Sequence, residues 1–163
     1  MISFGLSQNL VNEENLVLYG DKFFKENEDK PFNGTVFSLL PESGIKILEY
    51  QMLNGQKNGS HKEWYDDGKV KIKAKYLNNL KNGSFTMWNY DDVKVIEGNY
   101  KSDIEDGLWS FWYDDGTKLS KGYFEMGSRI GTWIYRSEDN KSEYVGKIFN
   151  GKIDSEKNDG DFL

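Results

Sequence analysis

Three pairs of adjacent aspartates, Asp66-Asp67, Asp91-Asp92 and Asp114-Asp115, are dense sets of oxygen donors, and hard ligands of this kind can gather calcium. Each pair lies in a run that reads as a turn, and turn propensity accounts for aspartate there without an ion. Paired carboxylates can also act as general acid and base, but on surface turns nothing desolvates them to tune a proton transfer. The one histidine, His61, cannot build a multi-histidine metal site, and the absence of cysteine removes thiolate and disulfide chemistry. No nucleophile elbow, phosphate-binding glycine loop or Ser-His-Asp order is visible. No catalytic residue, metal or cofactor is assigned, and the chain reads as a non-enzyme. What stands out is aromatic content, 15% of the residues, and large rings supply much of the energy of cores and interfaces alike.

Those rings recur at a fixed step. Gly83, Gly107 and Gly131 follow Gly59 at intervals of 24 residues, and Gly34 precedes it by 25. Five residues after three of these glycines stand Trp64, Trp88 and Trp112, with Leu39 and Arg136 in the outer copies. Seven residues before a repeat glycine stand Met52, Tyr76, Tyr100 and Phe124, and two residues earlier Tyr50, Ala74, Gly98 and Gly122. A fixed period of this length is the signature of a repeat architecture. Within a copy, strand formers over 108–113 lead into Asp114-Asp115-Gly116, which is turn chemistry, and 118–124 is a second extended run. WYDDG recurs intact at 64–68 and 112–116. A helical solenoid is disfavoured, since glycine recurs in every copy and costs roughly 1 kcal/mol in a helix interior.

The pattern resembles the MORN-repeat variant of bacterial proteins, and the opening DKFFKENEDKPFNG over 21–34 is similar to the lead-in of the YwqK-type antitoxin group. The resemblance implies an all-β fold, an elongated, twisted antiparallel sheet of consecutive hairpins. It also implies an antitoxin-like role, a weaker inference because fold does not dictate function. The expected organisation is a lead-in over 1–33 with a possible signal remnant at 1–15, five hairpin repeats over 34–154, and a polar tail over 155–163. Five copies at two strands each, roughly 4.8 Å per strand, extend about 48 Å.

Strand alternation then assigns faces. Trp64, Trp88 and Trp112 are expected to stack as a buried structural ladder, grouped with Ile72, Ala74 and Tyr76 and their equivalents, while Lys71, Lys73 and Lys75 point to solvent. The small residues Ala74, Gly98 and Gly122 let a neighbouring tryptophan lie flat against the strand. On the opposite parity of the first strand the copies differ. His61, Glu63 and Tyr65 read as solvent chemistry, whereas Phe85 and Met87, then Trp109, Phe111 and Tyr113, then Trp133 and Tyr135 are apolar. Two readings stay open for this second face: it is covered by the sheet's curvature or by the tail, or it is an exposed patch that binds a partner through Phe85, Trp109, Phe111, Tyr113, Trp133 and Tyr135.

A net charge of −6 argues against nucleic acid and anionic membrane as partners, since both are bound by basic patches. No run of apolar residues approaches the length that spans a bilayer. Cysteine-free composition fits a bacterial cytoplasm and a cell surface equally. The leading expectation is a protein-binding module of antitoxin or immunity type, with a toxin or surface protein as partner. A secreted or surface protein in adhesion or host contact is the alternative, and a hydrolase acting on an extended polymer is the weaker one, because no acid and base are fixed beside the aromatic strip.

Overall fold

The computed structural model describes residues 9–137, 143–149 and 152–154. The repeats form paired strands: β4 and β5 (Gly34–Leu39, Lys46–Leu53), β6 and β7 (Gln56–Trp64, Val70–Leu77), β8 and β9 (Leu80–Trp88, Lys94–Lys101), β10 and β11 (Ile104–Trp112, Lys118–Glu125), and β12 and β13 (Ser128–Arg136, Glu143–Phe149). They are preceded by β1 (Leu10–Asn12), β2 (Leu16–Tyr19) and β3 (Lys22–Lys25) and followed by β14 (Lys152–Asp154). Twelve strands make one sheet in the order β1-β4-β5 and onward in sequence to β14, while β2 and β3 pair separately. The expected series of antiparallel hairpins is present, with one departure: β1 joins β4 in parallel. The polar tail over 155–163 and the first eight residues of the possible signal remnant lie outside the described residues.

Two kinds of turn produce this zigzag. Copies are joined by two-residue turns, Asn54-Gly55, Asn78-Asn79, Ser102-Asp103 and Met126-Gly127, in which every residue has positive φ. Such turns carry the twist of the strands they connect. Within a copy the wider aspartate turn is held by its own side chains. Asp67 accepts from the Lys69 amide at 2.9 Å, and Asp115 from the Thr117 amide at 2.8 Å and its hydroxyl at 2.7 Å. The Lys69 amide holds the Asp67 carboxyl below its ordinary range, and the Thr117 hydroxyl does the same for Asp115. The repeat glycines all take positive φ, from 62° at Gly131 to 151° at Gly34, a region L side chains avoid.

Successive copies are stitched along both edges. On the tight-turn side, Asn79 donates its amide to the Lys57 carbonyl at 2.9 Å and Asp103 to Lys81 at 2.9 Å. On the other side, the Tyr65 hydroxyl donates to the Trp88 carbonyl at 2.8 Å and Tyr113 to Arg136 at 3.0 Å. The lead-in closes one end of the sheet. Val11 and Phe32 bury themselves against Val36, Tyr50 and Met52, and the Tyr50 hydroxyl reaches Glu13 at 3.0 Å. Burial first, and Glu13 second, push that phenol well above its ordinary value.

Register settles which residues share a side. His61 pairs with Ala74 and Glu63 with Ile72, but Trp64 pairs with Val70, so the return strand carries one extra residue beside the tryptophan. The same shift separates Met87 from Trp88 and Phe111 from Trp112. A bulge of this kind changes parity between the two strands. The apolar side of each return strand therefore joins His61, Phe85, Trp109 and Trp133, and the expected grouping of Ala74 and Tyr76 with Trp64, Trp88 and Trp112 is overturned.

Candidate binding surfaces

One side of the sheet is a continuous aromatic layer. Phe85 stacks beside Trp109 at 6.2 Å between centroids, Trp109 beside Phe111 at 6.1 Å, Phe111 beside Trp133 at 6.3 Å and Trp133 near Tyr135 at 6.1 Å. Tyr100 meets Trp109 edge-on at 5.0 Å, as Phe124 meets Trp133 at 5.2 Å. Offset and edge-on arrangements are those the ring quadrupole favours. Beneath the indoles there is no side chain: a Cβ placed on Gly98 would overlap the face of the Trp109 ring, and one on Gly122 that of Trp133.

This geometry corrects the expectation of an exposed patch. Trp109 and Trp133 are 3% and 0% exposed, so neither indole is available to a partner. Phe85, Phe111, Tyr113 and Tyr135 are half-buried beside them, and the Tyr113 hydroxyl is engaged by the next copy. The structure brings five of the six candidate residues into one stacked layer; Tyr113 serves the edge.

His61 is also not where solvent chemistry would put it. It is 4% exposed, stacked 5.9 Å from Tyr50 and tilted 5.1 Å from Tyr76. Its Nε2 lies 2.9 Å from Glu63 Oε1, while Nδ1 is buried with no hydrogen-bond partner. That hydrogen bond is the main reason the Glu63 carboxyl sits below its ordinary value. The repeat alignment held the signal, because His61 occupies the place of Phe85, Trp109 and Trp133.

The opposite side carries the tryptophan row. Trp64, Trp88 and Trp112 are half-buried. Two strands separate each from the next, about 9.6 Å at the usual strand spacing, too far for ring contact. Lysine ammonium groups fill the intervals: Lys46 lies 4.9 Å over Trp64, Lys73 5.2 Å over Trp88, and Lys94 and Lys118 4.7 and 5.4 Å over Trp112. A cation over an indole face is attracted by the ring quadrupole, and its aliphatic stem covers apolar surface. The expected buried ladder is thus a row of half-exposed rings capped by lysine.

Among the described residues, no group of three His, Cys, Asp or Glu side chains is close enough to hold a metal ion. No protein-family model matches this chain, and no curated protein is significantly similar to it. Its surfaces have to be read from their own chemistry. One presents close-packed rings without a free indole, the other a periodic alternation of indole and ammonium.

Proposed function

We propose that the chain is a non-catalytic protein-binding module of the antitoxin or immunity type, and that it holds its partner on the tryptophan–lysine side of the sheet. The observation that supports this is the half-exposure of Trp64, Trp88 and Trp112 in one periodic row. Partly solvated tryptophans on a rigid sheet are suited to act as binding anchors, since truncating a central one at an interface commonly costs about 2 kcal/mol or more. The antitoxin type follows from the resemblance of the lead-in over 21–34 and of the repeat itself.

The test is complex formation with the protein encoded beside this one, measured by calorimetry with the wild type and with Trp88→Ala and Trp112→Ala. Each variant should bind at least tenfold more weakly, about 1.4 kcal/mol, while keeping the wild-type circular dichroism spectrum. Full binding by both variants would remove the tryptophan row as the working surface, and absence of any complex would remove the antitoxin reading.

A further inference from the structure

Lysines outnumber carboxylates on the side of the sheet that carries the tryptophan row. Among the residues that share a side with the tryptophan row, Lys46 is paired to Glu49 at 2.6 Å and Lys94 to Glu97 at 3.0 Å. Five more lysines, Lys62, Lys73, Lys75, Lys118 and Lys121, have no carboxylate of the described residues within ion-pair distance. A chain with net charge −6 therefore carries a lysine surplus on one side. Lys62 and Lys73 stand directly opposite each other across β6 and β7, and like charges in that relation destabilise a sheet. Lys62 faces Glu49 on its other flank and Lys73 caps Trp88, but the contact between the two lysines is itself unfavourable.

We infer that this side binds an acidic segment of a partner protein, whose carboxylates lie over the adjacent Lys62 and Lys73 while apolar side chains settle beside Trp64, Trp88 and Trp112. The inference rests on the protein-binding reading above and adds the partner's chemistry. Charge complementarity names an anion, and two further observations select a polypeptide. The indole faces are already covered by lysine ammonium groups, so bases or sugar rings would have to displace those cations before stacking. The aspartate turns, with Asp66, Asp67, Asp114 and Asp115 exposed, border the tryptophan row directly. A polyphosphate backbone crossing that edge meets repulsion, whereas an acidic stretch flanked by basic residues matches both zones. The stacked ammonium groups are held in place before binding, which lowers the ordering cost of each contact.

A displayed library of random peptides, selected against the full chain and against Lys62→Gln/Lys73→Gln, tests this. Enrichment of sequences rich in Asp and Glu is expected, with binding released by about 0.5 M sodium chloride, where screening is strong. The double variant should bind a selected peptide about tenfold more weakly, as loss of two exposed ion pairs implies. Enriched peptides without acidic residues, or acidic ones indifferent to the double substitution, would overturn the inference and leave the protein-binding reading standing. Absence of any enriched peptide would also overturn the inference, and the protein-binding reading then rests on the calorimetry alone. Tighter binding of a single-stranded oligonucleotide or of phosphatidylserine vesicles than of the selected peptide would replace the polypeptide by another anion.

Discussion

Where the first copy meets the second, Tyr50 faces His61, and where the fourth meets the fifth, Gly122 lies under Trp133. Between them stand Ala74 with Phe85 and Gly98 with Trp109. Along the sheet the return-strand residue shrinks from Tyr to Ala to Gly while the facing ring grows from His to Phe to Trp. Ala with Phe and Gly with Trp divide a similar amount of side chain differently, and Tyr with His supplies more of it. At the early end a polar ring is held between two tyrosines with one nitrogen unsatisfied; at the late end a bare backbone carries an indole that is wholly covered. What has to match is the pair, not either member.

The sharpest way to break this comparison is to empty the late junction. Trp133→Ala should lose roughly 3–5 kcal/mol in urea denaturation, the range for deleting a fully buried large ring. Trp88→Ala, on the lysine side and half-exposed, should lose only about 1–2 kcal/mol. Equal losses would mean that the two sides of the sheet do not differ in packing as described.

Gly98→Ala comes next. Its methyl group would overlap the Trp109 indole, and overpacking of this kind costs about 1–3 kcal/mol. The double variant Gly98→Ala/Trp109→Phe recreates the Ala74–Phe85 junction and should recover a good part of what the two single changes lose. A double-mutant cycle measures that coupling, and purely additive losses would deny that the pair is the unit of packing.

The smallest effect is expected at the early junction. His61→Phe removes the buried, unsatisfied Nδ1 and should stabilise the fold by about 1 kcal/mol at neutral pH. Glu63, which loses its partner, remains open to water. The change also alters acid sensitivity. In the wild type the Glu63 carboxyl lies below its ordinary 4.5, so its contribution is complete above that pH and is lost as pH falls through the lowered value. Without His61 the carboxyl moves back toward 4.5, and the loss of stability in acid should be shallower. Urea melts at neutral pH and at about pH 3 separate the two effects, and an acid sensitivity unchanged by His61→Phe would show that the hydrogen bond to Glu63 does not shape the acid limb.

The fold was legible because its determinants are local: a 24-residue step of glycines, turn residues at fixed offsets and runs of strand formers. The sides were not, because linking the parity of two strands requires the register across the turn. One bulge residue per hairpin, beside Trp64, Trp88 and Trp112, reversed the assignment for all three. The close approach of tryptophan to Gly98 and Gly122 was foreseeable, yet the rings that make it are Trp109 and Trp133. The graded series Tyr50, Ala74, Gly98, Gly122 against His61, Phe85, Trp109, Trp133 was present in the sequence and becomes meaningful only when each residue is matched to the copy after it. The lysine caps are hidden in the sequence for the same reason, since Lys73 belongs to the side of Trp88 and not to a side of its own.

The matching of each return strand to the next copy also bears on how such an array can lengthen or shorten by recombination. Excising residues 107–130 would set Gly98 beneath Trp133, a combination the sheet already uses. Excising residues 83–106 would set Ala74 beneath Trp109, where a methyl group and an indole compete for one place. Both deletions remove one whole period, but only the first leaves compatible neighbours. Loss of a copy without repacking is thereby easier at the glycine-floored end than where Ala74 would have to meet an indole.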